Sequence, residues 1–173
     1  ILHYPDNRLR QLCPNQSEYN DELRKLISDM FETMYHENGI GLSAIQINVI
    51  TRVITIDVSK DKNEKIVLIN PLILEKREPI VFDEGCLSVP GFYEKVHRYN
   101  YIKYQANDIE GKVFEAEATD LLAVCIQHEI DHLDGKLFVD YLSDMKRTKI
   151  EKGLLKQKQN PTSNKRAENP YIK

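Results

Sequence analysis

From residue 21 to 37 apolar side chains return every three or four positions (Leu23, Leu26, Ile27, Met30, Phe31, Met34, Tyr35), a spacing that predicts an amphipathic helix. Asn20 is the expected N-cap, and Asn38-Gly39 the stop, with the glycine taking the left-handed turn. The period then changes. Short runs rich in β-branched and aromatic residues at 53–58, 65–69, 73–76, 101–106 and 113–118 predict strands, separated by turn chemistry at Asp61-Lys62-Asn63 and Glu110-Gly111. They follow one another too closely for helical crossovers, so antiparallel or mixed β-sheets in an α+β fold are expected. A second helix at 120–134, capped by Thr119 or Asp120 and ended by Gly135, is apolar nearly all round. Leu122, Ile126, Ile130 and Leu133 make one stripe and Leu121, Cys125, His128 and His132 another, which places it in the centre with the sheets packed around it. A third, C-terminal helix is expected at 143–159, stopped by Asn160-Pro161. One domain over 1–159 and a polar, flexible tail over 160–173 complete the expected organisation.

Composition narrows this picture. With 173 residues, 41% of them hydrophobic, the chain is long enough to bury a core as one unit. Its longest purely apolar run, 121–126, is far too short to span a bilayer, so no membrane association is expected. The amino end has neither the basic start and apolar run of a secretory signal nor the look of a transit peptide. Three cysteines (Cys13, Cys86, Cys125) are an odd and sparse set, which points to a reducing, cytoplasmic setting. Charge is unevenly spread: residues 146–173 carry nine Lys/Arg against two Glu, and the rest of the chain 15 against 25. Two readings stand for that basic end, a solvated helix with a frayed terminus or a handle for an anionic surface such as RNA. Tyr171 is its only aromatic residue, so sequence-specific nucleic-acid recognition is not expected.

The chemistry concentrates in His128-Glu129-Ile130-Asp131-His132. Two imidazoles four residues apart stand on one helix face and can grip one metal ion, while Glu129 projects beside them, placed to act as general base on a water at the metal. In an apolar helix, two histidines and a glutamate are costly unless paired or coordinated. A catalytic site of this kind needs a third protein ligand and one open position. Phe138 stands where the metzincin pattern places its third histidine, which removes that class. Glu151 is spaced as a thermolysin-like third ligand but lies in a lysine-rich helix. Cys125 reads as a small core residue. Cys86 sits between Glu84-Gly85 and Leu87-Ser88-Val89-Pro90, a polar turn with a backbone-permissive glycine suited to presenting a thiolate.

At this point three ordered segments, Gly39-Ile40-Gly41-Leu42-Ser43-Ala44-Ile45-Gln46, Glu84-Gly85-Cys86-Leu87-Ser88 and Gln127-His128-Glu129-Ile130-Asp131-His132, resemble the three motifs of peptide deformylase. The resemblance implies a bacterial-type cytoplasmic enzyme that removes formate from N-formyl-methionyl nascent chains. It implies Cys86, His128 and His132 as metal ligands, with Fe(2+) as the physiological ion and Zn(2+), Ni(2+) or Co(2+) as alternatives in a purified sample. By the same resemblance the Leu87 backbone N–H and the Gln46 side-chain amide stabilise the oxyanion. Gly41 leaves room for a peptide laid alongside as an added strand, and Ile40, Leu121, Val124 and Cys125 are the expected walls of the methionine pocket. Glu84 and Arg98 are expected either to pair behind the site and hold the cysteine loop or to stand as solvated charges. Ser43 replaces an alanine common in the family, a small-for-small change expected to leave the site undisturbed. Tyr93 occupies a position often basic there. A monomer is expected, with ribosome contact through the basic C-terminal segment.

Two other functions fit parts of the pattern: a metallopeptidase completed by Glu151, and a metal-stapled binding module with a closed four-ligand shell.

Overall fold

The structure, a computed structural model, describes residues 1–160. Strand β2 (Val53–Ile56) is apolar at nearly every position because both of its faces are covered. Ile54 and Ile56 turn toward helix α2 (Asp120–Leu133) and pack with Ala123, Ile126, Ile130 and Leu133, whereas Val53 joins Leu23, Ile27, Met30 and Met34 of helix α1 (Asp21–His36) on the opposite face. A short β1 (Gly41–Ser43), then β2, β3 (Ile66–Cys86), β4 (Val89–Asn107) and β5 (Val113–Thr119) pair in chain order into one five-stranded sheet. Every pairing is antiparallel, so the mixed arrangement is excluded while the α+β class holds.

The runs at 65–69 and 73–76 are pieces of one strand, β3, interrupted by bulges between Ile69 and Leu72 and between Ile73 and Glu75. Beyond them β3 and β4 continue as a two-stranded ribbon to a tip at Cys86↔Val89. Sequence patterning does not reveal this ribbon, because much of 74–83 is exposed and lacks an apolar alternation. A third cluster, made by Tyr4, Leu9, Phe138, Val139, Ile150 and Leu154, supports the tip through Val89 and Val96. Ile150 and Leu154 are the buried anchors of helix α3 (Asp144–Gln159), which begins with Ser143 Oγ accepting from Lys146 N.

Helix α1 is capped as expected by Asn20, whose side chain accepts from Leu23 N at 3.0 Å. Its stop differs: Asn38, not Gly39, takes the left-handed conformation (φ 56°). Gly39 instead makes room for Leu87, whose Cδ1 would lie 2.6 Å from a Cβ there. Among the described residues no helix is long and apolar enough to cross a membrane. The tail expected at 160–173 lies, from 161 onward, outside the described residues.

Candidate active site

Two elements meet to form the site, helix α2 and the ribbon tip. On α2, Gln127, His128, Glu129 and His132 are all buried, and each polar group except one has a fixed partner. Gln127 closes the seam left where β5 stops: β5 pairs with β4 only as far as Tyr101, and the Gln127 carboxamide then accepts from Tyr99 N (3.0 Å) and donates to Tyr99 O (2.7 Å). It thereby stands in for a neighbouring strand and fixes where the histidines fall. His128 Nδ1 lies 2.6 Å from Glu84 Oε1. Burial would push the Glu84 carboxyl up, but Arg98 and His128 outweigh it and hold it down at about 2. The carboxylate is therefore ionised and can only accept, so in its neutral form His128 carries its proton on Nδ1 and turns the Nε2 lone pair to the site.

That lone pair is not alone. His132 Nε2 stands 3.2 Å from His128 Nε2 and 3.3 Å from Cys86 Sγ. The three atoms lie within 4.8 Å of one another, the only such group of three among the described residues. Ligands about 2.0–2.3 Å from a common tetrahedral centre stand roughly 3.3–3.6 Å apart, so the spacing suits one small divalent ion. The electrostatics agree. Burial opposes a charged His128, yet Cys86 and Glu84 lift its pKa well above the ordinary value, while burial and the His128 charge push His132 well below. The cluster thus favours one added positive charge, which a proton on His128 or a cation between the three atoms could supply. His132 Nδ1 is the exception among the polar groups, buried and without a hydrogen-bond partner among the described residues, so its ring is set by packing.

Cys86 is the last residue of β3, not part of an open turn, and Gly85 has no left-handed backbone. Gly85 is small for a different reason: a Cβ there would meet the Tyr93 ring at 2.3 Å. Ser88 N approaches the sulfur at 3.4 Å and Gln46 Nε2 at 3.7 Å, and Gln46 also donates to Ser88 Oγ at 3.0 Å. Gln46 is oriented by accepting from Ser43 N (2.9 Å), and the amino-terminal segment braces both loops through Leu2 N to Gln46 O and Tyr4 N to Ser88 O.

Behind the cluster of Cys86, His128 and His132, the alternative of solvated charges is excluded for Glu84 and Arg98. Arg98 grips Glu84 through Nε (2.5 Å) and NH2 (2.9 Å), and its NH1 donates to Asp131 Oδ2, which also accepts from Tyr141. Asp131 and Tyr141 belong to this network, and Ser88 to the contacts of Cys86 and Gln46, although sequence reasoning gave them no part. Only the motif positions of Ser88 and Asp131 hinted at a role. Glu151, the rival third ligand, accepts from the Tyr4 hydroxyl instead and lies outside the group of Cys86, His128 and His132.

A cavity of about 350 Å³ opens in front of the cluster. Its lining includes Ile40, Gly41, Leu87, Leu121, Val124, Cys125, His128 and Glu129, so all five expected pocket residues are brought together, and Phe92, which the sequence did not foretell, adds an aromatic side with Tyr93. Gly41 is needed for close packing against α2: a Cβ would meet Cys125 Sγ at 2.8 Å and Glu129 Oε1 at 2.9 Å.

Comparison with known proteins decides the family. The polypeptide deformylase family model matches residues 1–148. The chain belongs to the polypeptide deformylase family. The peptide deformylase of Pseudoalteromonas translucida is 50% identical over 157 residues, covering 91% of this chain and 94% of that protein. The peptide deformylase crystal structure from Legionella pneumophila superposes with a TM-score of 0.90 at 46% identity over 95% of this chain and 97% of that one. The Ehrlichia chaffeensis peptide deformylase in complex with actinonin gives a TM-score of 0.86 at 35% identity, covering 92% and 96%. As a deformylase, the protein is a metal-dependent hydrolase of a linear amide C–N bond, removing the formyl group from the N-terminal formyl-methionine of new polypeptides and releasing formate. Neither the metallopeptidase nor the binding module accounts for these likenesses.

Proposed function

We propose that Cys86, His128 and His132 hold one divalent ion, ferrous iron in the cell, and that Glu129, Gln46 and the Leu87 backbone N–H carry out deformylation around it. The observation that carries this assignment is the approach of one sulfur and two ring nitrogens to within 4.8 Å beside a largely apolar cavity. Two nitrogens and a sulfur also suit zinc, nickel or cobalt in a purified sample. A bound ion of this kind supplies Lewis acidity and an acidified water.

The residues do the rest. Gly41 offers the substrate backbone an edge, since β1 pairs on one side only, and Ile40, Leu121, Val124 and Cys125 receive the methionine side chain. Glu129 is buried, and burial raises its carboxyl above the ordinary value, which favours a group that takes a proton from the attacking water and returns it to the departing nitrogen. Gln46 and Leu87 donate to the oxygen that gains charge when the carbonyl carbon is attacked, each such donor contributing about 3 kcal/mol. The Glu84–Arg98 pair orients His128 from behind.

The catalytic unit proposed is residues 1–159, acting as a monomer in the cytoplasm; three free cysteines support a reducing compartment. Contact with the ribosome is assigned to α3, on which Lys149, Lys152 and Lys156 are exposed. Reversing those three charges is expected to lower ribosome pelleting at low salt while leaving peptide turnover intact; unchanged pelleting removes that role. The deciding assay incubates anaerobically iron-loaded protein with a formyl-Met-peptide and measures free amine. Absence of turnover, together with cleavage of internal bonds in unformylated peptides, would reverse the assignment.

A further inference from the structure

Ser43 has no part in the roles just given, yet it touches the centre of the site. It is completely buried at the end of β1, and its Oγ lies 2.7 Å from Glu129 Oε2 and 2.9 Å from the Glu129 backbone oxygen. A serine hydroxyl has one proton, and both acceptors in reach belong to the same residue, so either use of it ties Glu129 to β1. The shorter contact is to the carboxylate, where a charge-assisted bond is the stronger one. The two carboxylate oxygens are thereby made unequal. Oε2 is tethered, while Oε1 faces the site, 3.9 Å from His128 Nε2 and close against Gly41. The same residue's N–H donates to Gln46 Oε1 at 2.9 Å, which leaves the Gln46 NH2 turned toward Cys86 and Ser88.

We infer that Ser43 is a positioning residue for the reaction: its hydroxyl holds Glu129 with Oε1 presented to the reacting water, while its backbone N–H aims the Gln46 amide. This rests on the assignment of Glu129 as the proton carrier. A long acidic side chain next to a site has rotamers that point elsewhere, and catalysis loses whatever fraction of time it spends in them. Gly41 removes the obstruction and Ser43 supplies the tether, so one three-residue strand sets the carboxylate from two sides.

The test is Ser43→Ala, with Ser43→Cys as a volume control that offers only a weak donor. With formyl-Met-peptide, kcat is expected to fall about five- to tenfold in both variants with KM within about twofold, at unchanged metal content. In a Glu129→Ala background, Ser43→Ala should change the residual rate by less than about twofold, because the hydroxyl acts through a carboxylate no longer there. Crystal structures should show the Glu129 carboxylate displaced or spread over more than one setting in Ser43→Ala, with Cys86, His128 and His132 superposing. A kcat within twofold of the parent, recovery in Ser43→Cys, an added loss in the Glu129→Ala background, or an unmoved carboxylate would each overturn the inference. Parent protein that releases no amine would instead sink the assignment of Glu129 as proton carrier, and the carboxylate's position in the two crystal structures would still decide whether Ser43 holds it.

Discussion

Helices α2 and α3 have similar lengths and opposite economies. In α2, ten of 14 residues are buried, among them two histidines, a glutamine and a glutamate, each held by or facing groups from other elements. In α3 only Ile150 and Leu154 are buried out of 16 residues, and apart from Glu151 and Gln157, which bond Tyr4 and Pro90, most of the rest is a basic surface facing solvent. The first helix is a frame whose polar groups are fixed by other elements, and the second is a cover most of whose polar groups meet solvent. Buried polar groups are costly unless satisfied, so in α2 every exchange disturbs a partner, whereas in α3 the solvent compensates.

That contrast can be broken by experiment, starting where the effect is largest. His132→Ala should strip the ion and abolish turnover, read by metal analysis after gel filtration alongside the amine-release assay; retained metal would show that α2 is not the frame. Glu129→Ala should keep its metal and lose roughly 10²- to 10⁴-fold in kcat. Next, Glu84→Gln, which lies behind the helix, should weaken metal affinity about tenfold, measured by competition with a chelator. On the covering helix, Ile150→Ala should cost about 2–4 kcal/mol of stability in urea denaturation yet leave kcat unchanged well below the melting temperature. A large fall in kcat there would erase the distinction between the two helices. The smallest effect lies in the connection between them, where Asp140 accepts from Arg10 and from Leu137 N and its pKa, despite partial burial, is lowered chiefly by Arg10. Because the folded value lies below the unfolded one, its contribution is present above the ordinary carboxylate range and lost as pH falls through the lowered value. Denaturation midpoints of parent and Asp140→Asn should therefore converge in acid and differ by about 0.5–1 kcal/mol near neutrality.

The same contrast governs what could be read from the chain. The period of α2, with histidines at i and i+4 inside an apolar run, states a helix with both imidazoles on one face, and the lining residues Leu121 and Cys125 follow from the same wheel. Helix α3 was legible from Ser143 and from its stop at Asn160. The ribbon was not, because much of residues 74–83 is exposed on a two-stranded element and shows no alternation to detect. Short β1 was missed since glycine and serine carry no strand signal. Ser43 and Ser88 escaped for a deeper reason. Their hydroxyls acquire meaning only through Glu129 and Gln46, 86 and 42 positions away, and local pattern holds no record of such distances.

Strand β1 has one more consequence. Exposed strand edges invite other chains to extend the sheet, and proteins keep them short to prevent it. Here the unpaired edge is three residues long, all of them buried, and its next neighbours turn away at once into the 3-10 helix Ala44–Ile47. It offers too few backbone groups to seed fibrous growth between copies.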